Sequence, residues 1–234
     1  VIPLLHDLSG ATVLVFGGGR VGARKARRFA REARVVVVSP AFGDHEFGGA
    51  ERVRAAPDPE AVPGWFDRTD PALAVAATDD GAVNDAVARA ARERGVLLNR
   101  ADRSTDDDPA ESAADSDSDG NDGEGYAREV VVPATVRDDP VTLAVATGGR
   151  SPALSRHLRE RFEEEFAGAG AMAELSGRLR TELRERGIAP SERRAAIRAV
   201  VRSERVWKVL GESSPSARTE AESVISDVLS AGDS

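Results

Sequence analysis

Cysteine is absent from this 234-residue chain. Neither a disulfide framework nor a thiolate metal site can be built, and a reducing cytoplasm is the expected compartment. No apolar run approaches the roughly 20 residues that a membrane-spanning helix needs. The first residues, Val1-Ile-Pro-Leu-Leu-His-Asp7, lack the basic lead and long apolar region of a secretory signal, so none is expected. Positive charge is in deficit: 32 basic against 40 acidic residues give a net charge of −8, which argues against a general nucleic-acid-binding role. Lysine is nearly missing, with Lys25 and Lys208 the only two among the basic residues. An acidic excess with scarce lysine suits a high-salt cytoplasm, and GC-rich coding produces the same bias. His6, His45 and His157 show no metal-ligand spacing, so no resident metal is expected.

Glycine is concentrated where it matters. In Val13-Leu-Val-Phe-Gly17-Gly-Gly19-Arg-Val-Gly22-Ala-Arg-Lys25 an apolar run breaks into glycines and a basic amphipathic pattern follows at once. Gly17, Gly19 and Gly22 fit G-x-G-x-x-G, the turn that binds a dinucleotide pyrophosphate between a strand and a helix. Gly17 permits the tight turn, Gly19 lets backbone approach the phosphates, and Gly22 lets the helix pack closely on the strand. The positive end of the helix then faces the anion.

The remaining pattern alternates strands and helices. Thr12–Phe16 reads as a first strand and Arg20 to about Glu32 as a helix, with Val21, Ala26, Phe29 and Ala30 inward and Arg24, Lys25, Arg27, Arg28 and Arg31 in water. Arg34–Ser39 is a second strand ended by Pro40, and Arg52–Ala56 a third. Ser39 stands where an acidic residue usually holds the ribose hydroxyl, Asp44 and Glu46 coming later, so the choice between NAD and NADP stays open here. Trp65-Phe66-Asp67 reads as core packing. Leu73–Ala77 is a fourth strand with Thr78-Asp79-Asp80 at its end, Ala82–Arg94 a helix, and Val96–Asn99 a fifth strand. This rhythm predicts an α/β, doubly wound parallel sheet.

Between 105 and 125 lie nine acidic residues, no basic one and almost nothing apolar, so a disordered acidic insertion is expected. Asp115, Asp117 and Asp119 alternate like a calcium loop, but Tyr126 stands at the twelfth position where glutamate is required. Two β-like runs, Glu129–Val136 and Pro140–Thr147, follow. Ser151 and Pro152 then open a helix, and helical patterns run over Pro152–Phe166, Met172–Arg186, Pro190–Leu210 and Ala217–Leu229. The expected organisation is a Rossmann domain at 1–104, the insertion at 105–125, a small β region at 126–150 and a helical lobe at 151–234.

The ordered set Asp7-Leu-Ser-Gly, Gly-Gly-Gly-x-Val with Arg24-Lys25, Ala76-Ala-Thr-Asp-Asp, Asn84, Asn99-x-x-Asp102, Pro133-Ala and Thr147-Gly-Gly-x-Ser-Pro-Ala-Leu resembles the precorrin-2 dehydrogenase family, including the siroheme synthase N-terminal region. The resemblance covers about Ile2 to Phe166. It implies NAD-dependent oxidation of precorrin-2 to sirohydrochlorin, insertion of Fe²⁺ by some members, and a homodimer built through the β region. Asp102 is implied as the general base. Cofactor contacts are implied at Gly17, Gly19, Arg20, Val21, Gly22, Ser39, Pro40, Thr78 and Asp79. Substrate contacts are implied at Asn99, Thr147, Gly148, Gly149, Arg150 and Ser151. Arg150, Arg156 and Arg159 with the helix start at Ser151 form either an anion-binding face or a solvated face paired as Arg156–Glu160 and Arg159–Glu163. The chain departs from the family in its insertion, which begins three residues after Asp102 and is expected to loop outwards. The alternatives are a bifunctional dehydrogenase and ferrochelatase, and a non-catalytic dinucleotide sensor. A sensor normally keeps the acidic residue that Ser39 replaces.

Overall fold

The computed structural model describes residues 3–101, 129–148, 150–210 and 214–232. Asp102, Gly149 and the whole acidic stretch, with its calcium-like aspartates, lie outside the described residues. The chain divides into two compact units, Val1–Val132 and Pro133–Ser234.

In the first unit, β1 (Thr12–Phe16), β2 (Arg34–Ser39), β3 (Glu51–Arg54), β4 (Leu73–Ala76) and β5 (Leu97–Arg100) form one parallel sheet in the order β3-β2-β1-β4-β5. β1, β2 and β4 read as near-continuous apolar runs because both faces are covered, whereas the edge strand β3, Glu51-Arg-Val-Arg54, is largely exposed. Leu14, Phe16, Val36, Val38, Ala74, Ala76 and Leu98 pack beneath α2 (Val62–Thr69) and α3 (Gly81–Arg94). Val13, Val15, Val35, Val37, Leu73 and Val75 pack beneath α1 (Arg20–Phe29) through Ala23 and Ala26. Each fully buried Val, Leu or Phe contributes about 1.5–3 kcal/mol. Phe66 is buried and stacks on Phe16 at 6.4 Å, so the Trp65-Phe66-Asp67 segment does serve the core.

Two details of α1 differ from the sequence pattern. The helix stops at Phe29, whose carbonyl accepts both Glu32 N–H and Ala33 N–H in a tight turn. Lys25 is not in water but 5% exposed. It falls four residues from both Val21 and Phe29, on the stripe of α1 that faces the sheet.

The run expected at Glu129–Val136 is split between the two units. Glu129 bridges Leu98 in parallel, and Val130 N–H donates to Leu98 O at 2.7 Å, so this end of the run extends the first sheet beyond β5. Pro133, which has no N–H to offer a ladder, follows. The second unit begins there, with the antiparallel hairpin β6 (Ala134–Asp138) and β7 (Val141–Val145).

The hairpin packs on α4 (Pro152–Glu165) and α5 (Ala169–Glu185). Asp138 Oδ2 accepts Gly170 N–H at 3.0 Å, which starts α5 three residues before the expected Met172. The helix expected over Pro190–Leu210 is two, α6 (Pro190–Arg202) and α7 (Glu204–Leu210). Ser203, extended at φ −79° and ψ 111°, breaks the run, and its hydroxyl accepts Val206 N–H at 3.4 Å. With α8 (Ser214–Gly232), these helices enclose Leu175, Leu179, Leu183, Val200, Val206 and Ile225. No helix among the described residues is long and apolar enough to cross a membrane.

Candidate dinucleotide site

Strand order reverses between β1 and β4, so the loops that follow these strands diverge and leave a crevice at the carboxyl edge of the sheet. The β1 loop is the glycine turn. Gly17 has φ +118°, and a Cβ there would sit 2.1 Å from Ala77 O, so no other residue fits. A Cβ on Gly22 would meet Gly17 O at 2.0 Å, which is the close packing of helix on turn read from the spacing. Gly19 is different: a Cβ there meets nothing within 4 Å. Only an approaching ligand gives that position a need for glycine.

Gly19 is also the N-cap of α1 and supplies no side chain to cap it, and the first turn of α1 holds no acidic residue. The contrast with α3 is informative. There Asp80 Oδ1 accepts Ala82 N–H and Val83 N–H at 2.8 and 3.2 Å, closing the helix start with protein. The Arg20, Val21 and Gly22 end of α1 instead presents a positive dipole end suited to a phosphate.

Two further loops complete the edge. Ser39, 6% exposed, ends β2 and donates its hydroxyl to Ala41 O at 2.7 Å, while Pro40 is exposed. Gly43 N–H donates to Gly18 O at 3.1 Å and ties this loop to the glycine turn. Gly18, which motif spacing leaves free, is required for that contact, because a Cβ there would lie 2.3 Å from Ala41 O. On the β4 side, Thr78 is fixed by Asn84, which is 1% exposed. Asn84 Oδ1 accepts Thr78 N–H and Oγ1–H at 3.2 and 2.8 Å, and its Nδ2 donates to Thr78 O at 2.8 Å. Asp79 is exposed beside it.

Asn99, on β5 level with Val75, is 5% exposed. Its Nδ2 donates to Val130 O at 2.8 Å, while its Oδ1 is buried with no hydrogen-bond partner among the described residues. Ala101 N–H donates to Ala76 O at 2.8 Å and holds the end of β5 against β4. The first unit therefore gathers Gly17, Gly19, Arg20, Val21, Gly22, Ser39, Pro40, Thr78, Asp79 and Asn99 on one sheet edge.

The other expected contacts belong to the second unit. Thr147 Oγ1 donates to Ser151 O at 3.1 Å, and Ser151 N–H donates to Thr147 Oγ1 at 3.3 Å. Ser151 Oγ caps α4 through Leu154 N–H, and Gly148 takes φ +63°. Arg159 is drawn along α4 to Glu163 and Glu160, as expected of a solvated face. Arg150 and Arg156 are exposed and form no ion pair among the described residues. His157 is exposed, and no group of three His, Asp or Glu residues is arranged to hold a metal ion among the described residues.

A family model for NAD(P)-binding matches residues 4–111. A precorrin-2 dehydrogenase of Methanosarcina barkeri is 29% identical over 97% of this chain and 95% of its own length. A siroheme synthase of Pectobacterium atrosepticum is 32% identical over 79% of this chain. This chain belongs to the precorrin-2 dehydrogenase and siroheme synthase N-terminal family. The family is one of NAD(P)-dependent oxidoreductases, and its members include chains of two sizes: the match covers only 34% of the Pectobacterium protein and 36% of a siroheme synthase of Aeromonas hydrophila that is 34% identical. A solved precorrin-2 dehydrogenase superposes with a TM-score of 0.63 over 97% of this chain and all of that one, at 22% identity, so family members share the fold.

Proposed function

We propose that this chain oxidises precorrin-2 to sirohydrochlorin, with NAD⁺ as the acceptor. The observation that carries the reading is the cradle at Gly19: an uncapped helix start beside open space, in a family of NAD(P)-dependent oxidoreductases. Backbone of Gly17, Gly19, Arg20, Val21 and Gly22 would hold the pyrophosphate, Ser39 and Pro40 the adenosine half, and Thr78 and Asp79 the nicotinamide half. Exposed Asp44 and Glu46 follow the loop that Gly43 ties to the turn. Two carboxylates near the adenosine half disfavour the extra 2′-phosphate of NADP⁺.

When bound, nicotinamide supplies a two-electron hydride acceptor. The protein's part is to remove the proton that must leave with that hydride, and Asp102 is the proposed base. It follows Ala101, the residue that pins β5 to β4, and a carboxylate is a chemical group able to accept that proton. Asn99, Thr147, Gly148, Gly149, Arg150 and Ser151 are the proposed contacts to the substrate, whose carboxylates suit the Arg150 guanidinium and the α4 start. A homodimer is the proposed assembly.

The test is an anaerobic assay of fresh precorrin-2 with NAD⁺ at high and low salt, following NADH and the sirohydrochlorin spectrum. One NADH per sirohydrochlorin is the expected result, and Fe²⁺ added to the same cuvette then asks whether the product is metallated. Binding of NAD⁺ without turnover would refute the dehydrogenase and favour the sensor.

A further inference from the structure

Three polar residues, Thr78, Asp79 and Asp80, follow the carboxyl end of β4, and the turn they form engages two of them. Asn84 on α3, 1% exposed, clasps Thr78. Its Oδ1 accepts the backbone N–H at 3.2 Å and the hydroxyl at 2.8 Å, and its Nδ2 donates to Thr78 O at 2.8 Å. The Thr78 hydroxyl oxygen also accepts Asp80 N–H at 3.2 Å. Both donors of Thr78 are thus engaged inside the turn, and its carbonyl and hydroxyl oxygens each already accept a bond. The Asp80 carboxylate caps α3. Asp79, between them, is exposed, and no described residue engages its carboxylate in a hydrogen bond or an ion pair.

The glycine turn indicates which part of a dinucleotide Asp79 meets. Ala77, two residues before Asp79, borders that turn: its O is the atom 2.1 Å from a Cβ built on Gly17. β4 is also the immediate neighbour of β1, one strand spacing or about 5 Å away. A dinucleotide with its pyrophosphate at Gly19 and its adenosine half towards Ser39 crosses β4 with its other ribose, the first group after the pyrophosphate on that side. The nicotinamide ring lies one group further on, towards β5. A carboxylate repels the anionic pyrophosphate, but it is a strong acceptor, and the ribose offers it two adjacent hydroxyl donors.

We infer that the Asp79 carboxylate accepts the hydroxyls of the nicotinamide ribose, and that Asn84 is the positioning residue that holds the turn for it. Asn84 is too buried to meet a ligand. It acts through Thr78, whose backbone it grips by N–H and carbonyl immediately before Asp79. A turn ordered in advance loses less freedom when the ribose binds, so the clasp contributes to affinity without touching the cofactor. The inference rests on the dinucleotide reading of the glycine turn and gives the nicotinamide half its polar contact.

The experiment is a binding cycle by calorimetry. Wild type, Asp79→Ala, Asn84→Ala and the double variant are each titrated with NAD⁺ and with the two analogues that lack the 2′- or the 3′-hydroxyl of the nicotinamide ribose. The readout is each protein's preference for NAD⁺ over the analogues, a ratio from which any loss of folded fraction cancels. Wild type is expected to prefer NAD⁺ over at least one analogue by about tenfold, the worth of one hydrogen bond to a charged group. Asp79→Ala and Asn84→Ala are each expected to lose that preference, and the double variant to lose no more than Asp79→Ala alone. Where Asn84→Ala does not fold, Thr78→Val keeps the shape, withdraws the hydroxyl from the clasp and serves the same cycle. Equal affinity of wild type for NAD⁺ and both analogues overturns the inference, as does a preference that survives in Asp79→Ala. A preference kept in full by the clasp variant overturns the positioning role. Wild type that binds neither NAD⁺ nor ADP-ribose would instead overturn the dinucleotide reading itself. If the cycle behaves as expected but precorrin-2 is not oxidised, the inference stands and the proposed function falls.

Discussion

Two glycines three residues apart should respond to the same methyl group in opposite ways. In Gly22→Ala the new Cβ lies 2.0 Å from Gly17 O, well inside the 3.4 Å at which ordinary contact begins, and the obstacle is backbone on both sides. Overpacking of that kind costs about 3 kcal/mol at the upper end of its usual range. Alanine recovers about 1 kcal/mol of helix propensity at this position in α1. The net loss is about 2 kcal/mol, which for a unit of this size lowers Tm by roughly 5–10 °C. In Gly19→Ala the Cβ meets nothing within 4 Å, and the backbone at φ −82° suits alanine, so Tm should stay within about 2 °C of wild type. The methyl does, however, stand where a phosphate must approach, and NAD⁺ affinity should fall by at least about tenfold. Thermal melts and calorimetric NAD⁺ titrations of both variants separate the two effects. Gly19→Ala with wild-type affinity would refute the cradle. Gly22→Ala with a wild-type melt would refute the packing argument.

Asp102→Ala should leave NAD⁺ affinity intact and cut turnover by about 10²-fold or more if the residue is the base; steady-state kinetics beside calorimetry checks this. Asn84→Ala withdraws the groups that fix Thr78 from a site 1% exposed, so about 2–4 kcal/mol of stability should be lost, read from urea unfolding followed by tryptophan fluorescence. Asp138→Ala removes the acceptor for Gly170 N–H and should cost about 1 kcal/mol in the second unit, where Trp207 reports. The Asp7 carboxyl is held below its ordinary value by the hydroxyl and backbone N–H of Ser9. A depressed carboxylate favours the folded form above its unfolded-state value and loses that effect as pH falls through the folded one. Ser9→Ala should therefore move the Asp7 titration upwards, as a side-chain NMR titration would show.

The glycine turn was legible because its demands are local. The positive φ of Gly17 and the contact of Gly22 with Gly17 O arise within six residues of sequence, although Gly17 also lies against Ala77 O from another strand end. The end of α3 at Arg94, after which Gly95 takes φ +67°, was readable for the same reason. Gly18 was not, because its constraint comes from Ala41 on another strand end. Asn84 appeared in the sequence only as part of a resemblance, since hydrogen bonding to Thr78 across a turn leaves no periodic trace. Lys25 was assigned to water on its charge, although its place between Val21 and Phe29 was visible. The return of Glu129 to β5 crosses a long stretch of sequence, and no pattern in the run itself distinguishes an added strand from a hairpin arm.

That return makes the sheet edge a natural port for extra chain. The polypeptide leaves β5 after Ala101 and comes back beside Leu98, three residues or roughly 10 Å down the same strand. Because exit and re-entry are anchored to one element, the length of the excursion is decoupled from the geometry of the sheet. Doubling such an excursion adds only about 0.6 kcal/mol of closure entropy. Evolution can therefore lengthen, shorten or recharge the segment after Asp102 to suit the salt, partner or surroundings of a given host, and an engineer can thread a foreign domain or label through the same opening, without re-registering a single strand.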